Sequence, residues 1–238
     1  MNKLIYLLVF IFVVLQSCED NKKASEKKSV PIDVLNKEKI VDKKTSELIK
    51  RTYTLPYITN ENVDSLLLDY GSKNRENKVK ISTSYGNIEL LLYNDTPLHR
   101  ANFIYLIKNN YFTETFFHRV VPNFIIQAGS SDNISTNKKR AQIGRYRLES
   151  EIIPGRNHIR GTLSGAKHYR KNPDKKSTPF EFFIFLGEPN NAKHLDDNYT
   201  IFGKVTKGME VVDILANLAS DEGDWPLENV YITVEIIK

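Results

Sequence analysis

A mainly β fold, built as a closed barrel capped by two helices, is predicted for about the last two thirds of this 238-residue chain. Short segments in which every second residue is apolar recur there, separated by turn residues. Only two segments of this region repeat apolar residues at helical spacing. A chain of this length can bury one sizeable core and still carry extensions. Periodicity alone would also fit an α+β sandwich, which stays open as an alternative.

The N-terminus has the pattern of an export signal. The apolar run over residues 4–15 is short for a membrane span of about 20 residues and fits the core of a signal peptide. Cys18 is the only cysteine, and Leu15 and Ser17 precede it as in the lipidation box of bacterial lipoproteins. We predict a signal peptide at residues 1–17 and lipidation of Cys18. The alternative is cleavage by an ordinary signal peptidase, with the cysteine incidental.

The residues between this signal and the main domain form an extension in two parts. About half of residues 18–50 are charged and none is aromatic, so this stretch cannot bury enough apolar surface to offset its ordering entropy. We interpret it as a disordered tether that is lipid-anchored to a bacterial membrane on the extracytoplasmic side. In residues 51–77, Val63, Leu67 and Tyr70 share helical spacing, which predicts a short helix that docks on the main domain.

From residue 78 onward the predicted elements follow in close succession. Gly86-Asn87 is a two-residue hairpin signal, and Thr96-Pro97 caps and opens the first helix. A polar loop region is expected between residues 129 and 159, with a strand near residues 146–149. The other strands are expected at about residues 79–81, 88–92, 116–121, 124–128, 161–166, 182–186, 200–205 and 230–237, and the second helix at 209–218.

Charge and composition argue against several classes of function. The net charge is +5 and the isoelectric point is near 9.0, but many lysines lie in the tether and no basic helix with interleaved aromatic residues is present. We therefore predict no nucleic-acid partner. The five histidines lack the spacing of metal ligands, so neither a metal nor another cofactor is predicted. The acidic run Asp221-Glu222-Gly223-Asp224 is too short for a calcium loop and is interpreted as a solvated turn.

Two segments carry the most informative patterns. Residues 116–129 read Phe-Phe-His-Arg-Val-Val-Pro-Asn-Phe-Ile-Ile-Gln-Ala-Gly, which places Arg119 and Gln127 among apolar side chains. A guanidinium on an apolar wall is costly unless something pairs with it, and a structural ion pair is the simplest explanation. The second segment reads Glu-Phe-Phe-Ile-Phe-Leu from Glu181, followed by His-Leu-Asp-Asp-Asn-Tyr-Thr-Ile-Phe-Gly-Lys-Val from His194.

In this order, the two segments closely resemble the pocket-forming segments of the cyclophilin family of peptidyl-prolyl cis-trans isomerases. The resemblance implies a closed, eight-stranded antiparallel β-barrel capped by two helices over residues 78–238. It also implies an enzyme that isomerises X-Pro bonds in proline-containing peptides and in unfolded or exported proteins. No cofactor is implied, and we expect a monomer.

Isomerisation of an X-Pro bond sets the chemical requirements of such a site. The bond has a rotational barrier of about 18–20 kcal/mol, and the proline nitrogen regains a lone pair when the amide twists. A catalyst needs a donor aimed at that nitrogen and a pocket for the ring, but no nucleophile, metal or general base. Arg119 is the predicted catalytic donor, since a guanidinium keeps its charge. Gln127 is expected to hydrogen-bond both Arg119 and the substrate backbone.

The resemblance also implies a set of substrate-binding residues. These are Phe124, Ile125, Gln127, Ala166, Lys167, Glu181, Phe183, His194, Leu195, Tyr199 and His118. Strand alternation points His118 away from Arg119, so a packing role is favoured over direct catalysis. Glu181, Lys167 and His194 stand where the family usually has glutamine, asparagine and tryptophan, which predicts an altered sequence preference. Glu181 is expected to pair with Arg119 or a nearby lysine. The alternative function is a membrane-tethered peptide-binding module or chaperone with little turnover.

Overall fold

The structure is a computed structural model that describes residues 54–168 and 170–238. The predicted signal peptide at residues 1–17 and the tether at residues 18–50, including Cys18, lie outside the described residues. All the described residues belong to one compact unit. None of the helices among them combines the length and the apolar character that crossing a membrane requires.

Ten β-strands and four α-helices make up the described part of the chain. The strands are β1 (Ile58–Thr59), β2 (Lys78–Thr83), β3 (Gly86–Leu92), β4 (Phe116–Val121), β5 (Ile125–Ser130), β6 (Gly144–Arg145), β7 (Thr162–Gly165), β8 (Phe182–Phe185), β9 (Ile201–Lys207) and β10 (Thr233–Ile236). The helices are α1 (Val63–Lys73), α2 (Pro97–Lys108), α3 (Ile134–Ile143) and α4 (Met209–Ala216), and a 3-10 helix covers Pro189–Ala192.

Eight of these strands form one antiparallel sheet in the order β10-β2-β3-β9-β7-β8-β5-β4. The predicted mainly β fold is therefore confirmed, but the predicted closure of the barrel is wrong. The sheet is a half-barrel that is open between its edge strands β10 and β4. Strand β10 pairs with β2. Among the described residues, one isolated bridge links the two edges of the sheet, between Tyr231, which lies just before β10, and Phe116 of β4.

The prediction of two capping helices for residues 78–238 is also incomplete, because this region has three α-helices, whereas α1 matches the short helix predicted within residues 51–77. Helices α2 and α4 occupy the two predicted positions, whereas α3 lies in the region predicted as a polar loop. Only Thr136 and Ile143 of α3 are buried. Because so little of the helix faces the core, its sequence lacks the repeated apolar positions that predict a helix. The strand predicted near residues 146–149 is reduced to an isolated bridge between Leu148 and Ser177.

Helix α2 is almost entirely buried and packs between the sheet and the N-terminal extension. On one side, Phe103 packs against Phe182 and Phe202 of the sheet, with ring centroids 5.3 and 5.7 Å apart. On the other side, α1 approaches so closely that a Cβ added at Gly71 would lie 2.8 Å from the Cβ of Ala101. The extension thus packs directly on a helix of the main core.

The N-terminus of α2 is held by a residue far away in the sequence. Thr96 was predicted to cap this helix, but its side chain makes no capping hydrogen bond. Instead, the carboxylate of Glu151 accepts the backbone N–H groups of Leu98 and His99, both at 2.9 Å, and lies 2.6 Å from Nδ1 of His99. A buried carboxylate at a helix N-terminus satisfies orphan donors and complements the helix dipole. Thr96 therefore occupies the predicted N-cap position before Pro97, but Glu151 supplies the capping hydrogen bonds that the Thr96 side chain does not make.

Removing this carboxylate is expected to destabilise the fold. We expect Glu151→Ala to lower the free energy of unfolding by about 2–3 kcal/mol, because it leaves charge-assisted bonds unmade at a buried helix end. Urea unfolding would measure the change. Glu149→Ala is the matched control: Glu149 makes a more exposed ion pair with Lys176, so its loss should cost less than about 1 kcal/mol. Equal losses in the two variants would contradict the capping role.

Candidate active site

The register of three neighbouring strands brings the main predicted residues together. Arg119 on β4 lies opposite Gln127 on β5, and Gln127 lies opposite Phe183 on β8. Directly opposed residues of an antiparallel pair share one face of the sheet. Phe183 and Phe185 belong to an apolar cluster separate from the main core, whereas Phe182 packs into the main core. The second cluster therefore forms the wall beside Arg119 and Gln127.

These residues line a cavity of about 360 Å³, here called the first cavity. Its wall consists of Arg119, Phe124, Ile125, Gln127, Ala166, Lys167, Phe183, His194, Leu195 and Tyr199. Every one of them was among the predicted site residues. The two remaining predicted residues do not line this cavity: Glu181 accepts a hydrogen bond from Gln127, and His118 lies 3.7 Å from Glu181.

The apolar part of the first cavity is built from paired rings. Phe183 and Tyr199 meet edge to face with centroids 5.5 Å apart, and Phe124 stacks on His194 at the same separation. The backbone of Ala166 is already satisfied, since its N–H donates to Glu181 O and its carbonyl accepts from Thr178. Ala166 therefore contributes apolar surface to the cavity, and its own backbone groups are already hydrogen-bonded within the protein. The result is a slot with ordered aromatic sides, the right type of surface for a small apolar ring.

Arg119 makes an ion pair with Asp224, a partner that was not predicted from the sequence. Its Nε donates to Oδ2 of Asp224 at 3.1 Å, and its Nη2 lies 3.0 Å from the same oxygen. The two side chains remain 41% and 39% exposed, so the pair is not a buried link and contributes only about 0–1 kcal/mol to stability. The interpretation of residues 221–224 as merely a solvated turn was therefore incomplete. Arg119 is oriented by Asp224 and still borders the first cavity.

The turn around Asp224 is itself well ordered. The side chain of Asp221 accepts the backbone N–H groups of Gly223 and Trp225, at 2.8 and 3.0 Å. The carbonyl of Asp224 accepts the N–H of Val120 at 2.9 Å, which joins the turn to β4 beside Arg119. Asp224 is 105 residues from Arg119 in sequence, and no local pattern signals their contact.

Glu181 has different partners from those expected. It was predicted to pair with Arg119 or a lysine, but one of its oxygens lies 3.2 Å from Nη2 of Arg140 on α3. Its other oxygen accepts the side-chain amide of Gln127 at 3.1 Å. The predicted hydrogen bond between Arg119 and Gln127 is wrong for the described structure, where Nε of Arg119 donates to Asp224 and the Gln127 amide nitrogen donates to Glu181. Arg140 was missed because α3 was predicted as a loop.

His118 occupies a break in the regular pairing of β4. The register shifts between Phe117 and Arg119, and Phe117 and Val120 both pack into the main core. The simple alternation that placed His118 opposite to Arg119 does not hold across such a bulge. Nε2 of His118 lies 3.7 Å from Glu181. Burial lowers the pKa of the His118 imidazole, and the nearby Glu181 carboxylate only partly opposes this shift.

A fully buried histidine, His158, lies against the aromatic wall. His158 stacks on Phe183 with an interplanar angle of 7°, and its Nε2 lies 3.0 Å from Oγ of Ser164. Asp196 accepts the backbone N–H of His158 at 2.7 Å and contacts Nδ1 at 2.8 Å. Burial lowers the pKa of His158, against the opposing effect of Asp196. No group of three or more potential metal ligands occurs among the described residues.

Comparisons with known proteins relate this site to one family. The family model described as cyclophilin type peptidyl-prolyl cis-trans isomerase/CLD matches residues 78–236. A peptidyl-prolyl cis-trans isomerase of Acinetobacter baylyi is 41% identical over 143 residues, which cover 59% of this chain and 72% of that protein. Peptidyl-prolyl cis-trans isomerase A of Dickeya dadantii is 34% identical over 155 residues, or 64% of this chain and 77% of the relative.

Solved structures agree with these sequence relatives. A crystal structure of a cyclophilin type peptidyl-prolyl cis-trans isomerase from Cryptosporidium parvum superposes with a TM-score of 0.57 at 27% identity. The match covers 68% of this chain and 98% of that one. The structure of the same parasite enzyme in the presence of the dipeptide Ala-Pro matches with a TM-score of 0.56, at 28% identity, over 68% and 99% of the two chains.

His118 and His158 predict a dependence of stability on pH. Because burial lowers the pKa of His118 and His158, the unfolded chain binds more protons than the folded chain as the pH falls below about 6.5. Stability should be complete above that value and decline as the pH falls toward the lowered pKa values. Urea unfolding at pH 7.5 and pH 5.5 would measure the difference.

Variants distinguish the contribution of these histidines to the pH dependence from that of other titrating groups. The double variant His118→Gln, His158→Gln should show a flatter dependence between the two pH values, whatever its absolute stability. His168→Gln, at an exposed position, should retain the full dependence. A double variant as sensitive to pH as the parent chain would show that other groups are responsible.

Proposed function

Because this chain belongs to the cyclophilin-type peptidyl-prolyl cis-trans isomerases, we propose that Arg119 stabilises the twisted X-Pro amide in its active site. The observation that supports this role is the first cavity, in which an oriented, half-exposed guanidinium borders a slot of paired aromatic rings. The enzyme acts on proline-containing peptides, and the slot offers the apolar surface that a pyrrolidine ring requires.

The ion pair with Asp224 leaves Arg119 able to act on a substrate. A guanidinium has five N–H donors in a fixed plane, and Asp224 engages only Nε and Nη2. The remaining donors can reach the proline nitrogen when the amide twists and its lone pair becomes available. The carboxylate restrains the guanidinium before the substrate arrives, which reduces the reorganisation needed in the transition state.

The aromatic wall and Gln127 would position the peptide. Phe124, Phe183 and Leu195 lie around the apolar part of the first cavity and would grip the proline ring. The Gln127 amide nitrogen is directed to Glu181, which fixes the orientation of that side chain and leaves its carbonyl oxygen to accept a substrate N–H. Binding of this type favours catalysis only where it is stronger for the twisted amide than for the planar one.

Substitution of Arg119 tests the proposed role directly. We expect Arg119→Ala to lower kcat/KM for an X-Pro peptide by about 100-fold or more, because removal of one preorganised donor from such a site typically has this effect. Arg119→Lys should recover only part of the loss, since a lysine lacks the planar fork of donors. Isomerisation rates can be measured by exchange NMR on a short peptide.

Asp224→Ala is the matched control, because it breaks the same ion pair and keeps the guanidinium. We expect it to reduce kcat/KM by no more than about tenfold, as orientation is weakened but the donor remains. If Asp224→Ala were as damaging as Arg119→Ala, the ion pair rather than the donor would carry the effect. A peptide that binds the parent chain without turnover would favour the alternative of a binding module or chaperone.

We further propose that the enzyme acts outside the cytoplasm as a lipid-anchored bacterial protein whose substrates are exported proteins. The proposal rests on the sequence of the N-terminal residues: the apolar core over residues 4–15, the box that ends at Cys18, and the charged stretch that follows. Acyl chains on Cys18 would hold the domain at a membrane without a spanning helix.

The lipid anchor can be tested in cells that express the full chain. Cys18→Ala should move the protein from the membrane fraction to the soluble fraction and abolish incorporation of labelled fatty acid. Ser25→Ala, in the neighbouring charged stretch, should leave both properties unchanged. Membrane retention of the Cys18→Ala protein together with absence of label in the parent chain would rule the anchor out.

A further inference from the structure

A second cavity, of about 430 Å³, adjoins the first cavity. The two cavities share three wall residues, namely Gln127, Ala166 and Lys167. A single extended peptide can therefore occupy both. The charged and titratable residues in the wall of the second cavity are Arg140, Arg145, Arg147, Lys167, His168 and Glu181.

One of these cations is already neutralised within the protein. Nη2 of Arg140 lies 3.2 Å from one oxygen of Glu181, and the other oxygen of Glu181 accepts from Gln127. Arg140 also donates to the hydroxyl of Tyr111 and to the carbonyl of Gly129. This pair is a structural element of the wall. Glu181 is the only carboxylate that lines the second cavity in the described part of the chain.

The other cations have no such partner. Within residues 54–168 and 170–238, neither Arg145, Arg147 nor Lys167 forms an ion pair with a carboxylate. Nζ of Lys167 donates to the side-chain oxygen of Asn198 at 2.7 Å and lies over the ring of Tyr199, and both of these partners are neutral. A concave wall with an excess of positive charge focuses a positive potential on whatever enters it.

The N-terminal extension holds the two arginines in place. β1 pairs in parallel with β6, which contains Arg145, and a Cβ on Gly144 would lie 2.1 Å from the carbonyl oxygen of Ile58. The side chain of Asn60 accepts the backbone N–H of Arg147 at 2.9 Å. Ile58 and Asn60 precede residues 78–236, which match the family model. The basic wall is therefore supported by a part of this chain outside the matched region.

We infer that the second cavity receives the carboxylate of an aspartate or glutamate near the proline of the same peptide, so that this enzyme selects acidic X-Pro substrates. The inference rests on the proposed function, because the peptide reaches the second cavity from the first. Arg145 and Arg147 supply the attraction, and Lys167 lies where the two cavities meet. Arg145 is exposed and Arg147 half-buried, so both can approach a ligand.

A peptide series on the full-length chain in mild detergent tests this inference. The peptides share one X-Pro core and carry either glutamate or glutamine at each of the three positions before and the three positions after the proline. We expect at least one position at which glutamate raises kcat/KM about threefold to tenfold over glutamine at low salt. The ratio should shrink as salt is added, since partly exposed charges are screened.

Charge-matched variants show whether the arginines are responsible. The double variant Arg145→Gln, Arg147→Gln should bring the glutamate-to-glutamine ratio close to one. Arg75→Gln, Lys78→Gln removes two charges from residues that line neither cavity and should keep the ratio. A ratio of one or less at every position in the parent chain, or a ratio that survives in the arginine double variant, would overturn the inference.

Binding measurements distinguish a failure of this inference from a failure of the catalytic role proposed for Arg119. Peptide affinities measured by NMR titration on Arg119→Ala should still favour glutamate over glutamine by a similar factor, because the second cavity is intact in that variant. Turnover without any acidic preference would refute the inference alone. Acidic preference in binding without turnover in the parent chain would refute the catalytic role of Arg119 alone.

Discussion

The active site depends on the pairing register of β4, β5 and β8. This register sets Arg119 opposite Gln127 and Gln127 opposite Phe183, so that a cation, an amide and an aromatic ring lie in a row on one face of the sheet. Slipping one strand by a single residue would turn its side chains to the other face. The bulge in β4 is part of this arrangement, because it lets Phe117 and Val120 enter the main core while Arg119 borders the first cavity.

Carboxylates from distant parts of the chain orient the polar groups of the site. Asp224 holds Arg119, Glu181 joins Gln127 to Arg140, and Asp196 holds His158 behind Phe183. These pairs differ in burial, and that difference matters for function. The partly exposed pair with Asp224 restrains Arg119 but leaves some of its N–H donors free. The buried contacts of His158 instead hold the imidazole rigidly against the ring of Phe183.

Much of the site could be predicted from the sequence, because most of its residues lie in two short segments with distinctive patterns. Every residue that lines the first cavity belongs to the predicted set. The partners of those residues could not be predicted. Asp224 lies in an acidic turn without any local signal, and Arg140 lies on a helix with only two buried residues. Charge pairing between distant segments leaves no periodic trace in a single sequence.

The sequence by itself determined the mainly β class, the positions of α2 and α4, and the identity of the residues around the first cavity. These follow from local periodicity, turn chemistry and recognisable segments. Only the tertiary structure decided that the barrel stays open between β10 and β4, that Glu151 supplies the capping hydrogen bonds of α2, and that Asp224 rather than Gln127 holds Arg119. These features depend on which distant segments meet in space, and long-range contacts of that kind are set by the packing of the whole chain.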